Sequence, residues 1–235
     1  MIRNLLLDLD DTILDFHKAE HRALTLALTE AGVEVTEERI ARYSEINASR
    51  WALLEEKKLT RAEVLYSRFA IFFEEMGVEV DPRTVQKAYE GHLSEGHFFI
   101  EGAEALLTAL SPRYRLYLAS NGTARVQAGR IKSAGIAPYF ERMFISEEVG
   151  ADKPDPAFFR AVFTAIPRFL PEETLMVGDS LTSDIRGGRD AGIRTVWFNP
   201  HGKPPRKDIL PTYEIASLSE LVPLLSRIER EDASL

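Results

Sequence analysis

The chain has 235 residues, of which 45% are hydrophobic and 28% charged, a soluble globular composition that excludes disorder and collagen-like repeats and leaves room for one large α/β domain or a core domain with an insert. It has no cysteine, which removes disulfides, thiolate metal sites and a cysteine nucleophile. A formal net charge of −8 opposes binding to a nucleic-acid backbone or an anionic membrane, while a local lysine or metal ion can still draw a small anion into a cleft.

The first predicted element, Asn4 to Leu7, is a short apolar strand that ends abruptly in Asp8-Leu9-Asp10-Asp11-Thr12. Its run is far too short for a membrane span or a signal-peptide core, so the expected compartment is the cytoplasm. The next convincing strand is Arg115 to Ala119, much farther along the chain than a simple βαβ unit needs. The intervening stretch reads as helix. Ala23, Leu24, Ala27 and Leu28 stripe a helix that closes near Gly32. Thr60 and Glu63 form a capping box ahead of Leu65, Phe69, Phe72, Phe73 and Met76, and Gly77 stops that helix. Asp81-Pro82 opens another, with Val85, Ala88, Tyr89 and His92 on one face. The reading is an all-helical cap over residues 16–97 inserted into a core made of residues 1–15 and 98–235.

Beyond the insert, strands and helices alternate. Helices are expected over Ala103–Leu110, Thr123–Ala134, Pro156–Ala165, Asp184–Ala191 and Leu218–Ile228, with strands at Met143–Ile145, Thr174–Val177 and Thr195–Phe198 and fraying from Arg230 onward. Such alternation predicts an α/β fold, a Rossmann-like doubly wound parallel sheet.

In that fold ligands bind outside the carboxyl ends of the strands. Those ends carry Asp8 and Asp10, then Ser120, Asn121 and Gly122, then Lys153, then Asp179 and Asp184. Several carboxylates cannot all ionise in a dry cleft without a cation, and hard oxygen ligands without cysteine or clustered histidine point to Mg²⁺. The same set suits phosphoryl transfer. Asp8 is the expected nucleophile and Asp10 the general acid and then base. Lys153 and the metal would neutralise charge, and Ser120, Asn121, Gly122 and Lys153 would bind the phosphate beside a helix that opens near Thr123. Pro154 restricts Lys153 away from the helical region and so helps to fix where it points.

With these four motifs in order, the chain resembles the haloacid dehalogenase-like hydrolase superfamily. Asp8-Leu9-Asp10-Asp11-Thr12 matches the first motif, Ser120 the second, Lys153-Pro154 the third, and Gly178-Asp179-Ser180-Leu181-Thr182-Ser183-Asp184 the acidic fourth. The resemblance implies Mg²⁺ held by Asp8, the backbone carbonyl of Asp10, and Asp179, with Asp184 acting directly or through water. It also implies a helical cap of the type inserted just after the first motif, which closes over the substrate. Ile145 to Gly150, Lys153 to Pro156 and Met176 to Asp179 are similar to the pyrimidine 5′-nucleotidase branch. The implied activity is phosphomonoester hydrolysis through an aspartyl-phosphate, on a small phosphorylated metabolite such as a nucleoside 5′-monophosphate.

A sugar-phosphate phosphatase or a phosphomutase would share every motif. Asp10 and Asp179 argue against a dehalogenase, and the complete catalytic set argues against a non-catalytic binding module. In the cap, Trp51 and Asn47 are candidate substrate contacts; Arg68 reads more naturally as a solvated helix residue, and His17 as a residue able to line the cleft.

Overall fold

A computed structural model describes residues 1–233. In chain order it comprises β1 (Asn4–Leu7), α1 (Phe16–Glu30), α2 (Glu37–Glu55), α3 (Arg61–Met76), α4 (Pro82–Leu93), α5 (Ala103–Leu110), β2 (Arg115–Ser120), α6 (Ala124–Ala134), β3 (Arg142–Ile145), α7 (Ser146–Val149), α8 (Pro156–Ala165), β4 (Thr174–Gly178), α9 (Arg186–Asp190), β5 (Arg194–Phe198), β6 (Tyr213–Ile215) and α10 (Leu221–Ala233). The six strands form one parallel sheet in the order β3-β2-β1-β4-β5-β6. The chain walks outward from β1 on one side and then restarts at β4 on the other. The crevice between the carboxyl ends of β1 and β4 is therefore the topological switch point where such sheets bind ligands.

Local chemistry accounts for the elements. Leu5, Leu6 and Leu7 are buried, as a central parallel strand requires on both faces. The capping box of α3 forms as predicted, with the Thr60 backbone N–H donating to Glu63 Oε2 at 2.7 Å and the Glu63 N–H to Thr60 Oγ1 at 3.3 Å. Asp81 and Asp155 cap α4 and α8 ahead of Pro82 and Pro156. Among the described residues, no helix is long and apolar enough to cross a membrane.

The described residues divide into two compact units. One, the sheet unit, comprises Met1–Asp15, Phe99–Gln127 and the residues from Gly135 onward; the other, the helical unit, comprises Phe16–Phe98 and Ala128–Ala134. The sequence-based boundary put residues 128–134 with the sheet. They belong with the helices because Arg130 is buried there, donating from Nε to the Gly96 carbonyl at 3.2 Å, and Ser133 donates to the Glu95 carbonyl at 3.0 Å. Within the helical unit, Tyr43, Phe69, Phe72, Phe73 and Tyr89 pack ring against ring, with centroids 4.7 to 5.9 Å apart.

Two expectations change at the carboxyl-terminal end. The three-residue strand β6 was not predicted, being too short to show a period. The last helix runs on to Ala233 rather than fraying from Arg230, because Asp232 is held by Arg194 at 3.0 Å and by the Met1 ammonium at 3.1 Å. The remainder of the stretch expected to fray, residues 234 and 235, lies outside the described residues.

Candidate active site

The turn after β1 brings the first two acids to the sheet's carboxyl edge. The backbone N–H groups of Ile13 and Leu14 both donate to the Leu9 carbonyl, at 2.9 and 2.8 Å, and the Asp11 N–H donates to the Leu14 carbonyl at 2.8 Å. Asp11 sits at φ +56, a left-handed conformation that aspartate tolerates better than most residues. Asp8 is buried at the strand end, and the half-buried Asp10 accepts from Gln127 Nε2 at 2.7 Å.

Lys153 is the centre of the arrangement. It is 1% exposed, and its ammonium donates to Asp8 Oδ1 at 2.7 Å, Asp184 Oδ1 at 2.6 Å and the Ala119 carbonyl at 2.6 Å. All three protons are thus directed. Asn121 fixes the lysine's main chain: its Oδ1 accepts from the Lys153 N–H at 2.8 Å and its Nδ2 donates to the Lys153 carbonyl at 2.9 Å. The side chain of Asn121, expected to touch phosphate, is therefore engaged in holding Lys153. Burial works against the lysine's charge, but Asp184 and Asp8 outweigh it and hold the ammonium above its ordinary pKa.

Carboxylate oxygens of Asp8, Asp179 and Asp184 lie within 4.8 Å of one another. Asp184 is itself positioned by the Ser180 N–H, which donates to Oδ2 at 3.1 Å, and Asp179 by Trp197 Nε1, which donates to its carbonyl at 2.8 Å. The buried Lys153 ammonium faces these acids from one side, and the more exposed Lys203 ammonium lies 3.8 Å from Asp179 Oδ2. Burial first, then Asp184, Asp10 and Asp179, push the Asp8 carboxyl well above the usual range despite the opposing Lys153. Burial, with Asp184 and Asp11, pushes Asp179 up to about 8. With Asp10 beside them the acids outnumber the ammonium groups, and the candidate donors are all hard oxygens. That fits a divalent ion of the Mg²⁺ class.

Three contributors were not singled out from sequence. Gln127 Nε2 bridges Asp10 Oδ2 and Ser120 Oγ, the latter at 2.8 Å. Thr12 Oγ1 accepts from the Asp179 N–H at 3.2 Å and donates to Asp8 Oδ2 at 3.4 Å, tying the ends of β1 and β4 together. Trp197, which the sequence shows only as part of a strand, reaches the Asp179 carbonyl through its ring N–H. The available signal for Gln127 was its place one turn into the helix that follows Ser120 and Asn121, where an amide can reach back to the strand end.

Two glycines leave the room these contacts need. A Cβ on Gly122 would meet the Gln127 side chain at 2.9 Å, and one on Gly178 would collide with the Asp184 carboxylate. Gly178→Ala is accordingly expected to destabilise the protein by about 1–3 kcal/mol, read as a lower thermal midpoint, whereas alanine at an open strand position would be favourable.

The helical-unit candidates fare differently. Asn47 is buried with both ends of its amide bonded, Nδ2 donating to Glu20 Oε1 at 2.7 Å and Oδ1 accepting from Arg68 Nη1 at 2.9 Å. This corrects the expectation that Asn47 meets substrate; it serves a buried polar chain that continues from Arg68 to Gln86 Oε1 at 2.9 Å. Arg68 is consequently not on a solvated face. Trp51 is half-buried, with the Arg61 guanidinium 5.6 Å from its ring centre, and His17 is exposed on α1.

The family model for haloacid dehalogenase-like hydrolases matches residues 2–192. The chain belongs to that family. Pyrimidine 5′-nucleotidase PynA of Streptococcus pneumoniae is 41% identical over 95% of this chain and 94% of its own length. Pyrimidine 5′-nucleotidase YjjG of Escherichia coli is 30% identical over 94% and 96%. The crystal structure of the HAD-hydrolase YfnB from Bacillus subtilis, described as bound to magnesium, superposes with a TM-score of 0.92 at 43% identity, covering 95% of this chain and 98% of that one. As a haloacid dehalogenase-like hydrolase, the chain has the expected doubly wound α/β core.

Proposed function

We propose that the protein is a Mg²⁺-dependent phosphatase that hydrolyses nucleoside 5′-monophosphates through an aspartyl-phosphate. The observation that carries this reading is the buried Lys153 ammonium bonded to both Asp8 and Asp184, with Asp179 completing an acidic cluster. Such a cluster combines a nucleophile, a fixed positive charge and a set of metal donors at one strand edge. The nucleotide preference rests on relatives named as pyrimidine 5′-nucleotidases over nearly their whole length.

Asp8, the Asp10 carbonyl and Asp179 would hold Mg²⁺, with Asp184 acting directly or through water. When bound, the ion shields the negative charge of the phosphoryl oxygens and of the cluster. An Asp8 carboxylate oxygen attacks phosphorus as the bond to the ester oxygen breaks, and Asp10 protonates the departing alkoxide. Asp10 then takes a proton from water as that water attacks phosphorus, the bond to Asp8 breaks, and inorganic phosphate leaves with Asp8 restored. Lys153 neutralises charge throughout. Ser120 and the backbone N–H groups ahead of α6 receive the phosphoryl oxygens, and Gln127 holds Ser120 and Asp10 in register.

The test is a phosphate-release screen over nucleoside monophosphates, sugar phosphates and small acid phosphates, with Mg²⁺ and with EDTA. Pyrimidine monophosphates are expected to lead, and chelation to stop turnover until Mg²⁺ is restored. A preference for sugar phosphates over every nucleotide would overturn the substrate assignment, and full turnover in EDTA would overturn the metal requirement. Because burial and neighbouring acids push the Asp179 carboxyl up to about 8 and raise Asp8 as well, metal binding at neutral pH must expel protons. Mg²⁺ affinity measured by calorimetry should therefore rise with pH across the neutral range.

A further inference from the structure

The opposite edge of the sheet carries a second polar feature that the catalytic reading does not use. At the amino ends of the strands lies a cavity of about 620 Å³, within the size range of small-molecule sites. Arg3, Arg113, Arg115 and Arg168 line it against two acids, Glu141 and Glu173. Four guanidinium groups around one concavity are unexpected in a chain of net charge −8.

The partners of these groups show what is left for a ligand. Arg3 is held by Glu173 at 3.2 Å, and Arg113 pairs with Glu229 at 3.4 Å. Glu141 accepts a hydrogen bond from the Tyr117 hydroxyl at 3.0 Å. Arg115, the first residue of β2, donates to the Pro167 carbonyl at 3.3 Å; among the described residues neither it nor Arg168 has a carboxylate within ion-pair distance. Arg168 sits at φ +54, a conformation uncommon for a side chain of its size. Strained non-glycine positions of this kind gather at ligand sites. The cavity also has an apolar side, where Leu170 is 43% exposed beside Pro112.

We propose that this amino-edge cavity is a second anion site, which binds a small organic molecule carrying two or more phosphate charges without hydrolysing it. Arginine forks match phosphate oxygens in pairs, and two guanidinium groups without carboxylate partners supply the charge. The limited volume of the cavity and the chain's net charge of −8 favour a small metabolite over a nucleic-acid strand. The site is distinct from the catalytic cluster. Arg3 and Asp8 stand at opposite ends of β1, about 17 Å apart at the rise of an extended strand. The proposal stands apart from the phosphatase reading and survives its failure.

The test is calorimetric titration of the full chain with inorganic pyrophosphate, in EDTA and at low salt. One equivalent should bind, with affinity falling as salt is raised. Arg115→Glu with Arg168→Glu should weaken binding by about tenfold or more. Asp8→Asn should leave it unchanged. Arg168→Gly is the safeguard against misfolding, since glycine accepts the positive φ: it should weaken binding by about three- to tenfold with no fall in thermal midpoint. The absence of binding up to about 5 mM pyrophosphate would overturn the site, because affinity weaker than that gives no useful occupancy in a cell. Unaltered binding by the arginine variants, or loss of binding in Asp8→Asn, would overturn it as well.

Discussion

Asp8→Asn should lower phosphate release by about 10⁴-fold or more, because an amide cannot form the aspartyl-phosphate while every other group stays in place. The replacement is isosteric, and the Lys153 ammonium keeps Asp184 at 2.6 Å and the Ala119 carbonyl at 2.6 Å. The fold should therefore survive, and the direction of the Asp8 pKa says more. An acid whose folded pKa is raised contributes stability below its unfolded value and loses it as pH rises through the folded value. At neutral pH the wild-type charge is a liability, so Asp8→Asn should melt no lower than wild type, and any advantage should shrink toward pH 4. Retained turnover with an unchanged melting temperature would exclude Asp8 as nucleophile. A collapse in melting temperature would instead show that the acid holds the structure.

The sheet and the acid set were legible in the sequence for a shared reason. Short apolar strands that end in polar residues mark both the strand and its carboxyl edge, so Asp8, Ser120, Lys153 and Asp179 could be placed before their contacts were known. The residues that hold them were not legible in the same way. Gln127 acts from a helix, Thr12 through one hydroxyl and Trp197 through one ring N–H, and each partner is distant in sequence or hidden by ordinary residue identity. Asn47 and Arg68 failed for the opposite reason. A polar residue on a helix does not show its partners in the sequence, and here Asn47 on α2 meets Glu20 on α1 and Arg68 on α3, while Arg68 also meets Gln86 on α4. The division of α6 was also hidden, since nothing in its pattern shows that Gln127 bonds to Asp10 and Ser120 while Arg130 is buried among the helices. Periodicity identifies a face. It does not identify what that face meets.

Lys153→Met should remove activity and stability together, and the pH dependence of the two losses separates their causes. Without the ammonium, Asp8 Oδ1, Asp184 Oδ1 and the Ala119 carbonyl all lose their donor in a site where Lys153 and Asp184 are each 1% exposed. Breaking a buried ion pair by deleting one partner costs about 3–5 kcal/mol, which for a chain of this size is a fall of about 6–20 °C in melting temperature. The stranded carboxylates are relieved by protons. The folded variant binds more of them than the unfolded chain does, so its stability should climb as pH falls from 7 toward 5. Wild type should gain less over that interval, because its ammonium already offsets part of the negative charge. Adding Asp184→Asn to Lys153→Met removes one stranded charge and should return part of the lost stability at pH 7. Turnover should stay absent, since the phosphoryl group still lacks the lysine's charge. Equal stability of the two variants at pH 7 would show that the Lys153–Asp184 contact carries no buried electrostatic coupling, and the lysine would then be a binding group alone.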